Sequence, residues 1–223
     1  MHGLALPDPG RPLRVLAIGC HSDDIEIGCG GTLLTLAGRP GGIELVWVVL
    51  AAADPHRAEE AEASMAAMMG DAVRPRMVLG RFRDGFLPYQ GWEVKERFEA
   101  LKGELEPDLI LVHQRNDLHQ DHRLACELAW NTWRDHLILE YEVPKWDGDM
   151  GRPNVFVPLT HDVAERKVDH LMRHFASQRS KRWFTPEVFR GLMALRGMEA
   201  GCPGGMAEAF YGPKVVLDAA RRG

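Results

Sequence analysis

Two short stretches hold the residues best suited to chemistry. The first is His21-Ser22-Asp23-Asp24, which ends the apolar run 13–19 and leads into Ile25-Glu26-Ile27-Gly28-Cys29-Gly30-Gly31-Thr32. The second is His113-Gln114-Arg115-Asn116-Asp117-Leu118-His119-Gln120-Asp121-His122, which follows the apolar run 108–112. Two histidines and one carboxylate, with a position left for water, form a common catalytic zinc set. The set these stretches offer is His21, Asp24 and His122. Asp23 then lies beside the metal without ligating it, placed to take a proton from metal-activated water. His119, three residues before His122 and on the same side of a helical turn, is free to polarise a carbonyl. Taken alone, an Asp-Asp pair after a strand also suits a plain helix N-terminus, where carboxylates are favoured.

These residues must be carried to one place by the elements around them. Residues 13–19 and 43–50 predict strands buried on both faces, since Val46, Trp47, Val48 and Val49 favour β structure. Short strands follow at 76–79 and 108–112. Helices are expected at 28–37, 58–69 (closed by Gly70), 92–103 and 120–133. This alternation predicts an α/β fold: a Rossmann-like, mostly parallel sheet with helices on both faces. In such a sheet chemistry sits at the carboxyl ends of the strands, where both stretches fall. After Asp135 the rhythm changes. Extended segments are expected at 137–143 and 154–157, helices at 162–176 and 186–196, and a last strand at 211–217. The expectation is one domain over 1–223, a core of about 13–135 with a C-terminal α+β cap of about 136–223.

The bulk numbers narrow the function further. The chain has 223 residues, 45% hydrophobic and 26% charged, with a net charge of −5. An acidic balance argues against a nucleic-acid partner, which calls for a basic patch. No run reaches the roughly 18 apolar residues of a membrane span. The first twelve residues read as a ragged arm without the layout of a signal peptide. Cys20, Cys29, Cys126 and Cys202 form no C-x-x-C pair and predict free thiols in a reducing cytoplasm. Gly28, Gly30 and Gly31 are the support for a different class, a non-catalytic nucleotide-binding module, but they lack the G-x-G-x-x-G spacing. The residues 130–141 are apolar enough to suggest a homo-oligomer, and the tryptophans, Trp146 among them, a sugar-stacking rim.

The two stretches together resemble the zinc-dependent N-acetylglucosaminyl-phosphatidylinositol de-N-acetylase (PIG-L/LmbE-like) superfamily. Its His-Pro-Asp-Asp motif is matched by His21-Ser22-Asp23-Asp24, with Ser22 in place of the proline, and its His-x-Asp-His motif by His119-Gln120-Asp121-His122. The resemblance implies a Zn2+ site of His21, Asp24 and His122, with Asp23 as general base. His119 stabilises the transition state and Asp121 orients a histidine. Arg57, with Glu60, and Asp84, before Gly85, resemble the segments that bind substrate hydroxyls or a carboxylate. His174, Ser177 and Gln178, and the stretch Ala207-Glu208-Ala209-Phe210, resemble later signatures. The implied function is removal of an acetyl group from a small-molecule conjugate of a GlcNAc-type N-acetylated amino sugar. In the implied mechanism zinc and protonated His119 stabilise the oxyanion. The alternative is a related metal-dependent amidase or esterase acting on a non-sugar substrate.

Overall fold

The strand β1 (Leu13–Gly19) is flanked on one side by β2 (Ile43–Val49) and on the other by β4 (Leu109–His113), both parallel to it. A computed structural model of the protein describes residue 6, residues 10–70 and residues 73–216. Most of the expected N-terminal arm lies outside these, and so does Leu217 of the expected last strand. The sheet has seven strands in the order β3-β2-β1-β4-β5-β7-β6, with β3 at Arg76–Leu79, β5 at Ile138–Tyr141, β6 at Val155–Leu159 and β7 at Met206–Tyr211. The first five are parallel, while β7 runs antiparallel to both neighbours. Chain order reverses between β1 and β4, so their carboxyl ends border one crevice.

Both faces of β1 are buried, which is why it reads as a nearly continuous apolar run. Val15 and Ala17 join one core with Trp47, Leu111 and Tyr141; Leu16 and Ile18 join the other with Val48, Ile110 and Phe98. Helices α1 (Asp24–Ala37), α2 (Pro55–Met69), α5 (His161–His174) and α6 (Pro186–Ala200) sit with the first core, and α3 (Gly91–Glu104) and α4 (Gln120–Thr132) with the second. α2 starts where the Asp54 side chain accepts from His56 N at 2.9 Å and Pro55 takes the first position; Gly70, at φ +61°, ends it. In the apolar stretch 130–141, Trp133 and Tyr141 are fully buried and Trp130 is half-buried. No helix among the described residues is long and apolar enough to cross a membrane.

Two expectations are corrected. The first helix begins at Asp24, four residues before the expected start, because Ile27 N already donates to Asp23 O at 3.0 Å. The last strand is Met206–Tyr211, not 211–217; Val215 and Val216 are exposed, outside any strand.

The glycine-rich stretch lies inside α1, and the helix breaks there, Cys29 having non-helical φ −145° and ψ 15°. Two buried side chains from distant parts of the chain satisfy the groups freed by the break. Glu208 of β7 accepts from Gly31 N (2.8 Å) and Thr32 N (2.6 Å), capping the second half. Lys167 of α5 donates to Ile27 O (2.6 Å), at the end of the first half, and pairs with Glu208 at 2.5 Å. The glycines are there for close approach. A Cβ on Gly31 would come within 3.0 Å of Glu208 Oε1, and one on Gly28 would overlap the Tyr141 ring. Tyr141 is fixed by its hydroxyl, which donates to Ile18 O at 2.7 Å. Gly28→Ala is therefore expected to destabilise the fold by about 1–3 kcal/mol, read as a lowered urea midpoint at unchanged slope.

Candidate metal centre

His21, Ser22 and Asp23 turn off the end of β1, and Asp24 opens α1. Across the crevice β4 ends at His113, and a turn leads to His119, the N-cap of α4. Three atoms of three side chains converge between them. His21 Nδ1 lies 3.1 Å from His122 Nε2 and 3.2 Å from Asp24 Oδ2, and His122 Nε2 lies 3.4 Å from Asp24 Oδ2. Ligands about 2.0–2.1 Å from a tetrahedral zinc are about 3.3–3.4 Å apart. The triangle matches that spacing, and its two nitrogens and one oxygen are the donors zinc takes. His21 and His122 also group with His119, their ring nitrogens within 4.8 Å of one another.

The electrostatics follow from burial and mutual contact. Burial works against an ionised Asp24, but His122, His113 and His21 outweigh it and hold its carboxyl well below the usual range. For His21 and His122 burial disfavours the cation, yet Asp24 and the other carboxylates raise both. Burial and the neighbouring His122 push His113 down to about 4. Neutral, His113 accepts from Cys20 N at 3.0 Å and stacks on the His122 ring at 3.7 Å.

Asp23 is buried beside this cluster, and its Oδ1 accepts from Arg57 Nη2 at 2.6 Å. Burial raises its pKa above the usual value, against the pull of Arg57. Arg57 Nη1 is committed as well, to Glu60 (2.5 Å) and Ser177 Oγ (2.7 Å). Both terminal nitrogens of the expected substrate-binding arginine are thus occupied within the protein. Ser22 donates its hydroxyl to Arg57 O at 2.8 Å, so a hydrogen bond holds the turn that proline stiffens in the related motif.

His119 accepts at Nδ1 from Asp121 N (3.3 Å), which leaves its hydrogen on Nε2. Burial and the nearby His122 and His21 lower its pKa, which favours the neutral ring. Asp121 accepts from Gly85 N (2.7 Å) and Leu87 N (3.1 Å), and Oδ2 lies 3.4 Å from His21 Nε2. This fastens the segment carrying Asp84, whose exposed carboxylate lies 3.0 Å from His21 Nε2. A further carboxylate, unassigned from sequence, holds the other histidine of the triangle: Asp117 Oδ2 lies 2.9 Å from His122 Nδ1. The signal was present, since Asp117 is the remaining acid in the second stretch. Its Oδ1 is held by Lys145 Nζ at 3.0 Å.

A sequence model of the family described as GlcNAc-PI de-N-acetylase, PIG-L, matches residues 16–133, over half of the chain and both motifs. The chain belongs to the PIG-L family. No curated protein matches this PIG-L chain. Its fold is shared with solved structures of low identity. The N,N'-diacetylchitobiose deacetylase from Pyrococcus horikoshii aligns at TM-score 0.71 and 22% identity, covering 92% of this chain and 86% of that one. GalB, the 4-carboxy-2-hydroxymuconate hydratase from Pseudomonas putida KT2440, gives TM-score 0.74 at 18% identity, over 93% and 100%. The zinc-inhibited form of the teicoplanin deacetylase Orf2 gives 0.67 at 16%, over 89% and 97%. The hydratase shows that this fold carries more than one reaction.

Proposed function

We propose that this PIG-L protein is a zinc-dependent de-N-acetylase acting on an N-acetylated amino sugar conjugate of the GlcNAc type. The observation that supports this most is the triangle of His21 Nδ1, Asp24 Oδ2 and His122 Nε2, with edges of 3.1–3.4 Å at the switch point of the sheet. We assign these three residues to the metal. Zinc bound there supplies a Lewis acid and lowers the pKa of water towards ~7.

The chain's own residues do the rest. Asp23, held at Oδ1 by Arg57, takes the proton of the attacking water at Oδ2 and later returns it to the departing amine nitrogen. We read His119 as donating its Nε2–H to the developing oxyanion; the direction of its pKa, lowered by burial and the nearby His122 and His21, supports a neutral imidazole in that role. Asp121, 3.4 Å from His21 Nε2, orients that histidine and also fastens the Asp84 segment, and Asp84, exposed at the mouth, receives sugar hydroxyls. We read Arg57 as the residue that orients Asp23, within reach of the substrate. Residues 1–223 are read as one catalytic domain, which the unbroken sheet from β3 to β6 supports. Four free cysteines fit a reducing, cytoplasmic setting.

The test is elemental analysis together with acetate release from a panel of N-acetylated sugars, amino acids and sugar nucleotides. About one zinc per chain, with turnover confined to N-acetyl sugars and abolished by chelation, supports the reading; a metal-free protein, or turnover of non-sugar amides alone, overturns it. Asp117→Asn is expected to weaken zinc binding about 10- to 100-fold, because it removes the anion holding His122 Nδ1, as measured by competition with a chelating dye.

A further inference from the structure

The turn between β4 and α4 rests on two residues, Lys145 and Asp149, to which the chemistry above gives no task. Two consecutive amides of that turn are received by two carboxylates. Leu118 N donates to Asp149 Oδ2 at 2.8 Å, and His119 N donates to Asp117 Oδ1 at 2.8 Å. One ammonium bridges the same two oxygens, Lys145 Nζ lying 2.6 Å from Asp149 Oδ2 and 3.0 Å from Asp117 Oδ1. All three charged side chains are buried: that of Lys145 is 7% exposed, that of Asp149 3% and that of Asp117 0%. Buried carboxylates this close repel one another unless a cation stands between them. Burial works against the ammonium, but Asp149 and Asp117 outweigh it and raise the Lys145 pKa. Lys145 and Asp149 both belong to the loop after β5, which bends at Gly148 (φ +63°) and is tied down further by Gln114 Nε2, donating to Asp149 O at 3.2 Å.

We propose that Lys145 is a positioning residue that sets a metal ligand and the oxyanion donor together. It fixes Asp117, and Asp117 fixes both: Oδ2 lies 2.9 Å from His122 Nδ1, and Oδ1 holds the amide of His119. The His119 and His122 rings, with centroids 4.6 Å apart, thus share one anchor. Without the ammonium the Asp117 and Asp149 carboxylates move apart, and the turn that carries both rings loosens with them. The polar partners of Lys145 are Asp117, Asp149, Asp147 (4.0 Å) and Val143 O (3.5 Å), none of them a residue of the triangle. Its influence on the metal therefore runs through Asp117. The proposal rests on the assignment of His21, Asp24 and His122 to zinc and of His119 to the oxyanion.

The experiment is a double-substitution cycle on the full chain, with Lys145→Met, Asp117→Asn and both together. Zinc affinity is measured by competition with a chelating dye, and turnover at saturating zinc with the N-acetylated sugar that the wild type hydrolyses fastest. Lys145→Met is expected to weaken zinc binding about 3- to 10-fold and to lower kcat by a similar factor at unchanged KM. In the Asp117→Asn background the same change is expected to have no further effect on zinc affinity, because its route to the metal is already cut. Wild-type affinity in Lys145→Met, or losses that simply add in the double variant, would each overturn the proposal. Lys145→Gln, which keeps a donor for one carboxylate, is read in the same way should the methionine variant not fold. A second readout needs no metal: the His122 Nδ1 proton of the zinc-free protein, followed by nitrogen-edited NMR, is expected to shift its resonance when Lys145 is replaced. If the wild type binds no zinc or hydrolyses no N-acetylated sugar, the de-N-acetylase reading fails by itself. The NMR signal then decides for Lys145: a moved resonance keeps the positioning role, and an unmoved one removes it.

Discussion

Asp23→Asn is expected to lower kcat about 10^2- to 10^4-fold, the usual worth of a positioned general base, while zinc content stays at the wild-type level. The two halves of that result come from different atoms. The triangle of ring nitrogens and carboxylate oxygen is made by His21, Asp24 and His122, and the substitution touches none of them. What it removes is the basic oxygen beside them, leaving an amide that still accepts from Arg57 but cannot take a proton at neutral pH. The pH profile supplies a second check. Burial lifts the Asp23 carboxyl above the usual aspartate value despite Arg57. A base works only when deprotonated, so wild-type kcat/KM should fall as pH drops through that raised value, and the residual rate of the variant should lack this limb. Near-normal turnover with full zinc would assign the proton to another group.

The second large effect concerns stability. Glu208→Ala is expected to cost about 3–5 kcal/mol, because it leaves Lys167 buried without its counter-charge and strips the acceptors from Gly31 N and Thr32 N. Against a total of about 5–15 kcal/mol for an ordinary domain, this is a large share. At roughly 2–4 °C per kcal/mol for a chain of this size, the melting temperature should fall by roughly 10 °C. Glu208→Gln, which keeps one acceptor oxygen, should fall between the two. A melting temperature within a degree or two of wild type for the alanine variant would show that the break in α1 is held by other contacts.

The parts of the site legible in the sequence are those whose residues lie close together in it. His21 to Asp24 and His119 to His122 each sit directly after a buried strand, and strand ends of a parallel sheet meet in space. The strands β1, β2 and β4 announced themselves as apolar runs, mostly buried on both faces. Less legible were features decided by contacts between distant segments. The glycine-rich stretch reads as the place where the helix starts, since glycine is a poor helix former, but packing against Tyr141 and Glu208 carries Gly28 and Gly31 inside a helix that begins at Asp24. β7 was displaced in the expectation because a buried glutamate interrupts its apolar pattern, whereas Val215 and Val216 have β propensity and no partner strand. Asp117 was passed over because its link to His122 arises from the turn before α4. The bonds that commit Arg57 reach residues 34 and 120 positions away.

The clasp across α1 also sets an order of events during synthesis. The helix that begins with Asp24 is complete only when Lys167 and Glu208 reach it, 140 and 177 residues downstream of the groups they hold. A ribosome that has made both motifs has still to make the strand that secures the first of them. A nascent chain stalled anywhere before β7 would carry His21, Asp24 and His122 without the finished clasp.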